Sequence, residues 1–370
     1  MKKVVIAAIM VSVSAFSFDI QAVIHTVSND SNFPADYSTL QNAIDGASSS
    51  DTIYVYGTSS SYGDISVDKT LVFIGVGHYP QIQTVSPSTI GTITLTAAAS
   101  NTIFSGLYLS GDSNVEPASG TNSIIFENCF IRLTGSQYVI AGATNCDNWI
   151  IRGSRIWCSQ NFISSGYYDV GFYVGSTNDN WLILNNVFHG NNIQLIEANQ
   201  TTVFSHNLVL FYQIRFFQNC SEVIITNNMF IDYYSNSPMI NFNDGCTNCL
   251  FNHNLTWSNY ADENSLALPE IPNANNTGSN NLNNTNPFFT TYQGGSSFSY
   301  NHDYHLQAGS PAALAGSDGT DIGIYGGTGS FKFNMFGYPE IPRFYYMNIK
   351  NTVLPENGTL NIEIKGTTTR

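Results

Sequence analysis

One pattern recurs seven times between residues 101 and 257 and leaves the chain few ways to fold. Each instance is an extended apolar stretch, a polar turn position and a second extended stretch. The segments are NTIFSGLYL from Asn101, SIIFENCFI from Ser123, WIIRGSRIW from Trp149, WLILNNVFH from Trp181, TVFSHNLVL from Thr202, VIITNNMFI from Val223 and CLFNHNLTW from Cys249. Aligned on the turn, the column reads Gly106, Asn128, Ser154, Asn186, Asn207, Asn228 and Asn254, at spacings of 22, 26, 32, 21, 21 and 26 residues. A period near 21 with variable insertions is one coil of a solenoid whose extra residues leave as loops.

The side chains define a register. Three residues before the turn stand Ile103, Ile125, Ile151, Ile183, Phe204, Ile225 and Phe251, and two after it Tyr108, Phe130, Ile156, Phe188, Val209, Phe230 and Thr256. Each coil thus points an apolar residue inward on both sides of one corner, and stacking like on like pairs every strand above and below. A third strand stands twelve and fourteen residues before the turn, with Ile140/Gly142, Phe172/Val174, Ile193/Leu195, Ile214/Phe216 and Ile240/Phe242 as its inward pairs. The expected class is all-β: a parallel β-helix with three strands per coil. Asn128, Asn186, Asn207, Asn228 and Asn254 are read as structural, because Asn tolerates a left-handed turn and its amide can bond the neighbouring coil.

Flanking columns at Ile124, Ile150 and Leu182 and at Leu208, Met229 and Leu255 are also apolar. If they face outward they need a cover: an insertion, the C-terminal segment or, in an oligomer, a partner subunit.

The net charge of −14, from 12 Lys and Arg against 26 Asp and Glu, excludes nucleic acid as a partner, which requires a basic footprint. A polyanionic substrate would be repelled unless the few cations converge. With 21 Tyr and 24 Phe the chain has ample apolar mass for a core. Lys2 and Lys3, the apolar run from Val4 to Phe18 and the exit through Ala22 have the form of a secretory signal peptide, cut after Ala22 or earlier near Ala15. Residues 1–22 are therefore expected to be the leader, 23–330 the β-helix with its end segments, and 331–370 a short linker with a strand-like tail. No later run is long enough for a spanning helix, so the mature chain is expected to be secreted or at the cell surface. In that compartment Cys220 and Cys246, on adjacent coils, are a disulfide candidate, with a stack of buried thiols as the alternative.

The ends carry a resemblance. Asp36–Ala47 has helical spacing, with Leu40, Ala43, Ile44 and Ala47 on one stripe, and is followed by DTIYV and KTLVFIGVG. This resembles the entry cap of the pectate-lyase-like superfamily, which implies a single-stranded, right-handed parallel β-helix with an N-terminal helical cap. NPFF at Asn286, DYHLQAGSPA at Asp303 and DGTDIGIYGG at Asp318 resemble the closing segment of Bacteroidetes-type secreted or surface members. Asp303, Asp318 and Asp321 there are candidates for Ca²⁺, with tight-turn closure as the competing role.

The resemblance implies contact with polysaccharide. Its lyases use Arg or Lys as base with acidic ion ligands, and its hydrolases use paired carboxylates. Counting back from each turn, Tyr173, Gln194, Arg215 and Asn241 fall in one outward row, and Glu197, Gln218 and Asp244 in the next. Tyr173, Gln194, Gln218 and Asn241 are then the candidate sugar-binding residues. In a lyase acting on an acidic glycan Arg215 would be the base and Glu197 with Asp244 the ion ligands; in a hydrolase those two would be the carboxylate pair. A second strip, Glu127, Arg152, Arg155, His206 and His253, flanks the corner, its histidines two coils apart and too distant to share a metal. A structural or adhesive surface protein is the remaining alternative.

Overall fold

The computed structural model describes residues 22–79, 86–110, 115–133, 140–141, 143–158, 170–190, 193–211, 217–232, 243–258, 275–294, 297–350 and 356–367. The chain winds a right-handed parallel β-solenoid with three strands per coil. The first sheet has 11 strands, from Ile24–Val27 through Ile150–Arg152 to Thr277–Ser279. The second, from Thr89–Ile90 to Leu255–Ser258, and the third, from Ile65–Val67 to Asn243–Asp244, have eight each.

Inward residues stack in columns. Phe73, Phe104, Phe126, Ile151, Ile183, Phe204, Ile225 and Phe251 pair coil to coil along the first sheet, all fully buried. Phe73 and Phe104, and Phe104 and Phe126, stack at 4.9 and 4.8 Å, and Trp149 on Trp181 at 4.9 Å. These are the strand spacing itself, so each ring lies flat on its equivalent in the next coil. Ile103, Ile125, Tyr108 and Phe130, expected inside, are displaced by one residue: Phe104, Phe126, Leu109 and Ile131 are the inward ones.

The reason for that slip lies at the corner, where two jobs fall on consecutive residues. Gly77, Gly106, Asn128, Gly153, Asn185, His206, Asn227, His253 and Asn280 all have φ between 51° and 97°. The next residue faces inward: Cys129, Ser154, Asn186, Asn207, Asn228, Asn254, Asn281. Asn128 therefore belongs to the left-handed column and not to the ladder. In the ladder, each side-chain carbonyl accepts the amide N–H of the preceding rung (Asn186 N to Asn207 Oδ1 2.9 Å, Asn207 N to Asn228 Oδ1 2.8 Å). Each amide donates to a carbonyl one coil back, as from Asn207 Nδ2 to Ile183 O at 2.8 Å.

The entry is capped by the helix Leu40–Gly46, shorter than the stripe implied. Thr39 Oγ1 accepts the Asn42 N–H at its start, and Leu40, Ala43 and Ile44 are buried over the first coil. The apolar outer face of the second sheet is covered within the chain. Val187, Leu208, Leu210, Met229, Ile231, Leu255 and Trp257 pack under Phe289, Tyr292, Tyr304, Ala312, Ile322 and Ile324 of the C-terminal segment.

That segment then retraces the left-handed corner from the last coils towards the first, as a strap. His253 Nδ1 bonds Ala315 O, Asn227 Oδ1 accepts Ser317 N, Asn185 Nδ2 donates to Ile324 O and Gly326 O, and Arg152 lies 4.7 Å over Phe331. At Gly153 (φ 59°) a Cβ would stand 2.3 Å from the Phe331 ring, so glycine is required by backbone and by contact. Beyond the strap, Arg343–Ile349 and Ile362–Thr367 form an antiparallel hairpin. Among the described residues no helix is long and apolar enough to cross a membrane.

Candidate functional site

Register decides which candidate residues meet. In the third sheet Tyr173 pairs with Ile196, Ile196 with Gln218 and Gln218 with Asp244. Gln194 pairs with Gly171, in the other outward row. The intervening row, Leu195 and Phe217, is buried, and the expected inward pairs Ile214/Phe216 and Ile240/Phe242 lie outside the described residues. The shift arises because the connection to the first sheet is shorter after Ile196, Gln218 and Asp244 than after Tyr173, which counting back from the turn cannot detect. Arg215 and Asn241 lie outside the described residues. Glu197 stands at a left-handed corner (φ 53°), its N–H donating to Gln218 O at 2.9 Å. It is two coils from Asp244, with Gln218 between.

The second strip is absorbed by the fold. Arg152 forms a 2.6 Å ion pair with Glu127. His206, beside Ser205 Oγ at 2.9 Å and Asp318 at 3.5 Å, is buried under the strap, and burial lowers its basicity more than Asp318 restores it. Asp303, Asp318 and Asp321 each close a different turn, accepting the backbone N–H of His305, Thr320 and Leu314. Among the described residues no three His, Cys, Asp or Glu side chains converge as a metal site. Cys220 and Cys246 are free thiols at equal height in adjacent coils, as the neighbouring Ser221–Thr247 bridge requires. Contact with the Cys220 thiol and burial push Cys246 up to about 12.

A polar and aromatic cluster lies on the outer face of the second sheet, towards its N-terminal end. Arg155 donates from Nε to His189 Nε2 (2.7 Å) and from a terminal nitrogen to Tyr300 Oη (3.0 Å). Its guanidinium lies 4.3, 4.8 and 4.9 Å from the Phe130, Phe298 and Tyr300 rings. Tyr300 Oη, which accepts from Arg155, also forms a hydrogen bond of 2.9 Å with His78 Nδ1. Burial and the Arg155 charge hold His189 well below the usual imidazole range and His78 down to about 3. Burial also pushes Tyr300 up to about 12. With both imidazoles held towards the neutral form, the cluster fastens the strap to the solenoid.

Beside it the face opens. Tyr108, Arg132 and Trp157, on three successive coils, are each half-buried. Arg132 lies 4.9 Å over the Trp157 ring and donates to Tyr108 Oη at 3.3 Å. Sequence reasoning placed Tyr108 inside and passed over Trp157. The alternation within the second strand, Arg132 and Trp157 outside the buried Ile131 and Ile156, was the signal that finds them.

These features define a right-handed parallel β-solenoid consistent with the pectate-lyase-like superfamily in general, and so with proteins that act on or bind carbohydrate. Compared with protein-family models and with curated proteins, the chain matches none.

Proposed function

We propose that this is an exported β-helix protein that contacts extracellular polysaccharide through the outer face of its second sheet. The observation that carries the reading is the half-buried set Tyr108, Arg132 and Trp157, in which a guanidinium, an indole and a phenol hydroxyl line up across three coils. Strand spacing makes this a platform about 10 Å long. A flat ring offers a sugar face its apolar body, and the guanidinium and hydroxyl supply donors to hydroxyl or carboxylate oxygens. The terminal motifs, which resemble those of Bacteroidetes-type surface proteins, agree with an extracellular setting. Ca²⁺ at the closing-segment aspartates belongs to the same reading as an untried ligand.

A second reading, glycan cleavage, is favoured by the backbone placement of Glu197 and Asp244 on either side of Gln218. They lie two coils apart, Glu197 one residue beyond the row that Asp244 occupies, and a hydrolase would need both carboxyl groups to reach one sugar ring. One experiment separates the readings. The purified protein is run through gels containing plant and algal polysaccharides and assayed on the same panel for unsaturated and reducing-end products, with and without Ca²⁺. Retardation lost in Trp157→Ala and Arg132→Ala, without product, supports the platform. Product that disappears in Glu197→Gln or Arg215→Ala moves the function to the third sheet. Neither retardation nor product refutes glycan contact and leaves a structural surface role.

A further inference from the structure

The first residues of the solenoid hold a carboxylate in an unusual setting. Asp51 is 2% exposed, at the turn that leads from the capping helix into the second strand of the first sheet. Its Oδ1 accepts the backbone N–H of Val23 at 2.8 Å, and its Oδ2 accepts that of Ser48 at 2.8 Å and lies 2.9 Å from His25 Nε2. Among the described residues no Lys or Arg pairs with it. The titratable groups facing His25 are Asp51 itself, the Tyr37 ring edge-on at 5.7 Å and, more remotely, Asp36. A buried carboxylate held only by neutral donors and one imidazole gains most from a fixed cation.

Val23 occupies the place from which such a cation would come. It begins the solenoid: its carbonyl accepts Thr52 N at 2.9 Å, and the first strand, Ile24–Val27, follows at once. Ala22 before it is exposed and is the small residue at which the leader-like segment ends. The structure and the leader pattern thus meet at one peptide bond from independent directions, one from the backbone hydrogen bonds of Val23 and the other from export chemistry.

We propose that Val23 is the first residue of the exported chain and that its α-ammonium closes an ion pair with Asp51. Hydrolysis of the Ala22–Val23 amide by a leader-cleaving peptidase adds one water. The C–N bond breaks, the water oxygen stays with Ala22 as its new carboxylate, and the released Val23 amine is protonated at neutral pH. The neutral N–H donor on Asp51 Oδ1 becomes a charged one with three hydrogens, in the same place and without rearranging the coil. Removal of the leader then tightens the first coil only after export, when a stable entry cap no longer hinders translocation. This rests on the export reading above and not on glycan contact.

The test starts from the full-length gene expressed in an exporting bacterium. The secreted protein is sequenced from its N-terminus, and the expected result is Val-Ile-His-Thr-Val. A chain that is exported but starts elsewhere, as at Phe16, overturns this inference alone; a chain retained in the cytoplasm with Met1 intact overturns the export reading as well. The α-amine of the Val23-started protein is then titrated by NMR. Its pKa is expected about one unit above the ordinary value near 8, falling back in Asp51→Asn. A form carrying one extra Gly before Val23 keeps Asp51 and is expected to unfold at a lower temperature. An unshifted amine, or an extended form as stable as the Val23 form, refutes the ion pair even if the cut is confirmed.

Discussion

Arg155 gives its Nε–H to the ring nitrogen Nε2 of His189, 2.7 Å away, and to no carboxylate among the described residues. The imidazole must therefore be neutral, with its remaining proton on Nδ1, 3.2 Å from Ser297 Oγ. The cation is neutralised only by ring faces and dipoles: Phe130, Phe298, Tyr300 and the Tyr300 hydroxyl. Through these contacts one side chain on the fourth strand of the second sheet fastens the strap to the solenoid.

Arg155→Ala removes these contacts and leaves buried His189 Nε2 without its donor. The expected loss is about 2–3 kcal/mol, read as a fall in the denaturant midpoint, with proteolysis appearing first in the strap. An unchanged midpoint would show that the strap is held by its apolar residues alone.

The two neutral histidines predict a pH profile. His78 and His189 have folded pKa values below their unfolded value near 6.5, so the unfolded chain binds more protons than the folded one as pH falls below 6.5. Their stabilisation is complete above pH 6.5 and declines from there down to about 3 for His78, each contributing a slope of about 1.4 kcal/mol per pH unit. Aspartates with lowered pKa, such as Asp303, act only below about 4. Melting at pH 7, 6, 5 and 4.5 should show a steady decline, and His78→Phe should flatten it.

Asn185 carries both the left-handed corner (φ 52°) and two hydrogen bonds of 2.9 Å to the strap. Asn185→Gly keeps the backbone and loses the bonds, at a cost of about 1–2 kcal/mol. Asn185→Ala adds roughly 1 kcal/mol of left-handed strain. Equilibrium unfolding of the pair separates the two roles, and equal values would mean that the backbone position is unstrained.

In the ladder, Asn207→Ala strands the buried N–H of Asn186 and the carbonyl of Ile183 together. About 3–4 kcal/mol is expected, well beyond the effect of Asn128→Gly, which only preserves a left-handed turn. Urea unfolding of both variants tests the separation of ladder from corner.

All five described thiols, Cys129, Cys146, Cys220, Cys246 and Cys249, are buried and free, and burial pushes Cys129 up to about 12. Alkylation at pH 8 should be slow in the native protein and complete within minutes in denaturant. Loss of two reactive thiols at Cys220 and Cys246, restored by reductant, would instead show a disulfide between adjacent coils.

Much of this architecture was legible in the sequence, and the misses are local. Ile151, Ile183, Phe204, Ile225 and Phe251 were placed inside because apolar alternation and a repeated turn are one-dimensional signals. Ile103 and Ile125 stand one residue off the inward column because two consecutive corner positions look alike in sequence: Gly and Asn suit the left-handed site, while Ser and Asn also serve the ladder. In the third sheet the row Tyr173, Ile196, Gln218, Asp244 was missed because its connection to the next coil changes length, and no residue type marks that change.

The sequence by itself determined the coil, the period and the inward columns, because stacking of equivalent residues is a nearest-neighbour effect. Only the tertiary structure decided what covers the outside. Val187, Leu208, Met229 and Leu255 are apolar whether a partner, a loop or the strap meets them, and their pattern is the same in each case. Which one does so depends on contacts between residues more than a hundred positions apart, such as Asn185 with Ile324 and Arg155 with Tyr300. Those contacts left Tyr108, Arg132 and Trp157 as the open part of the second sheet's outer face.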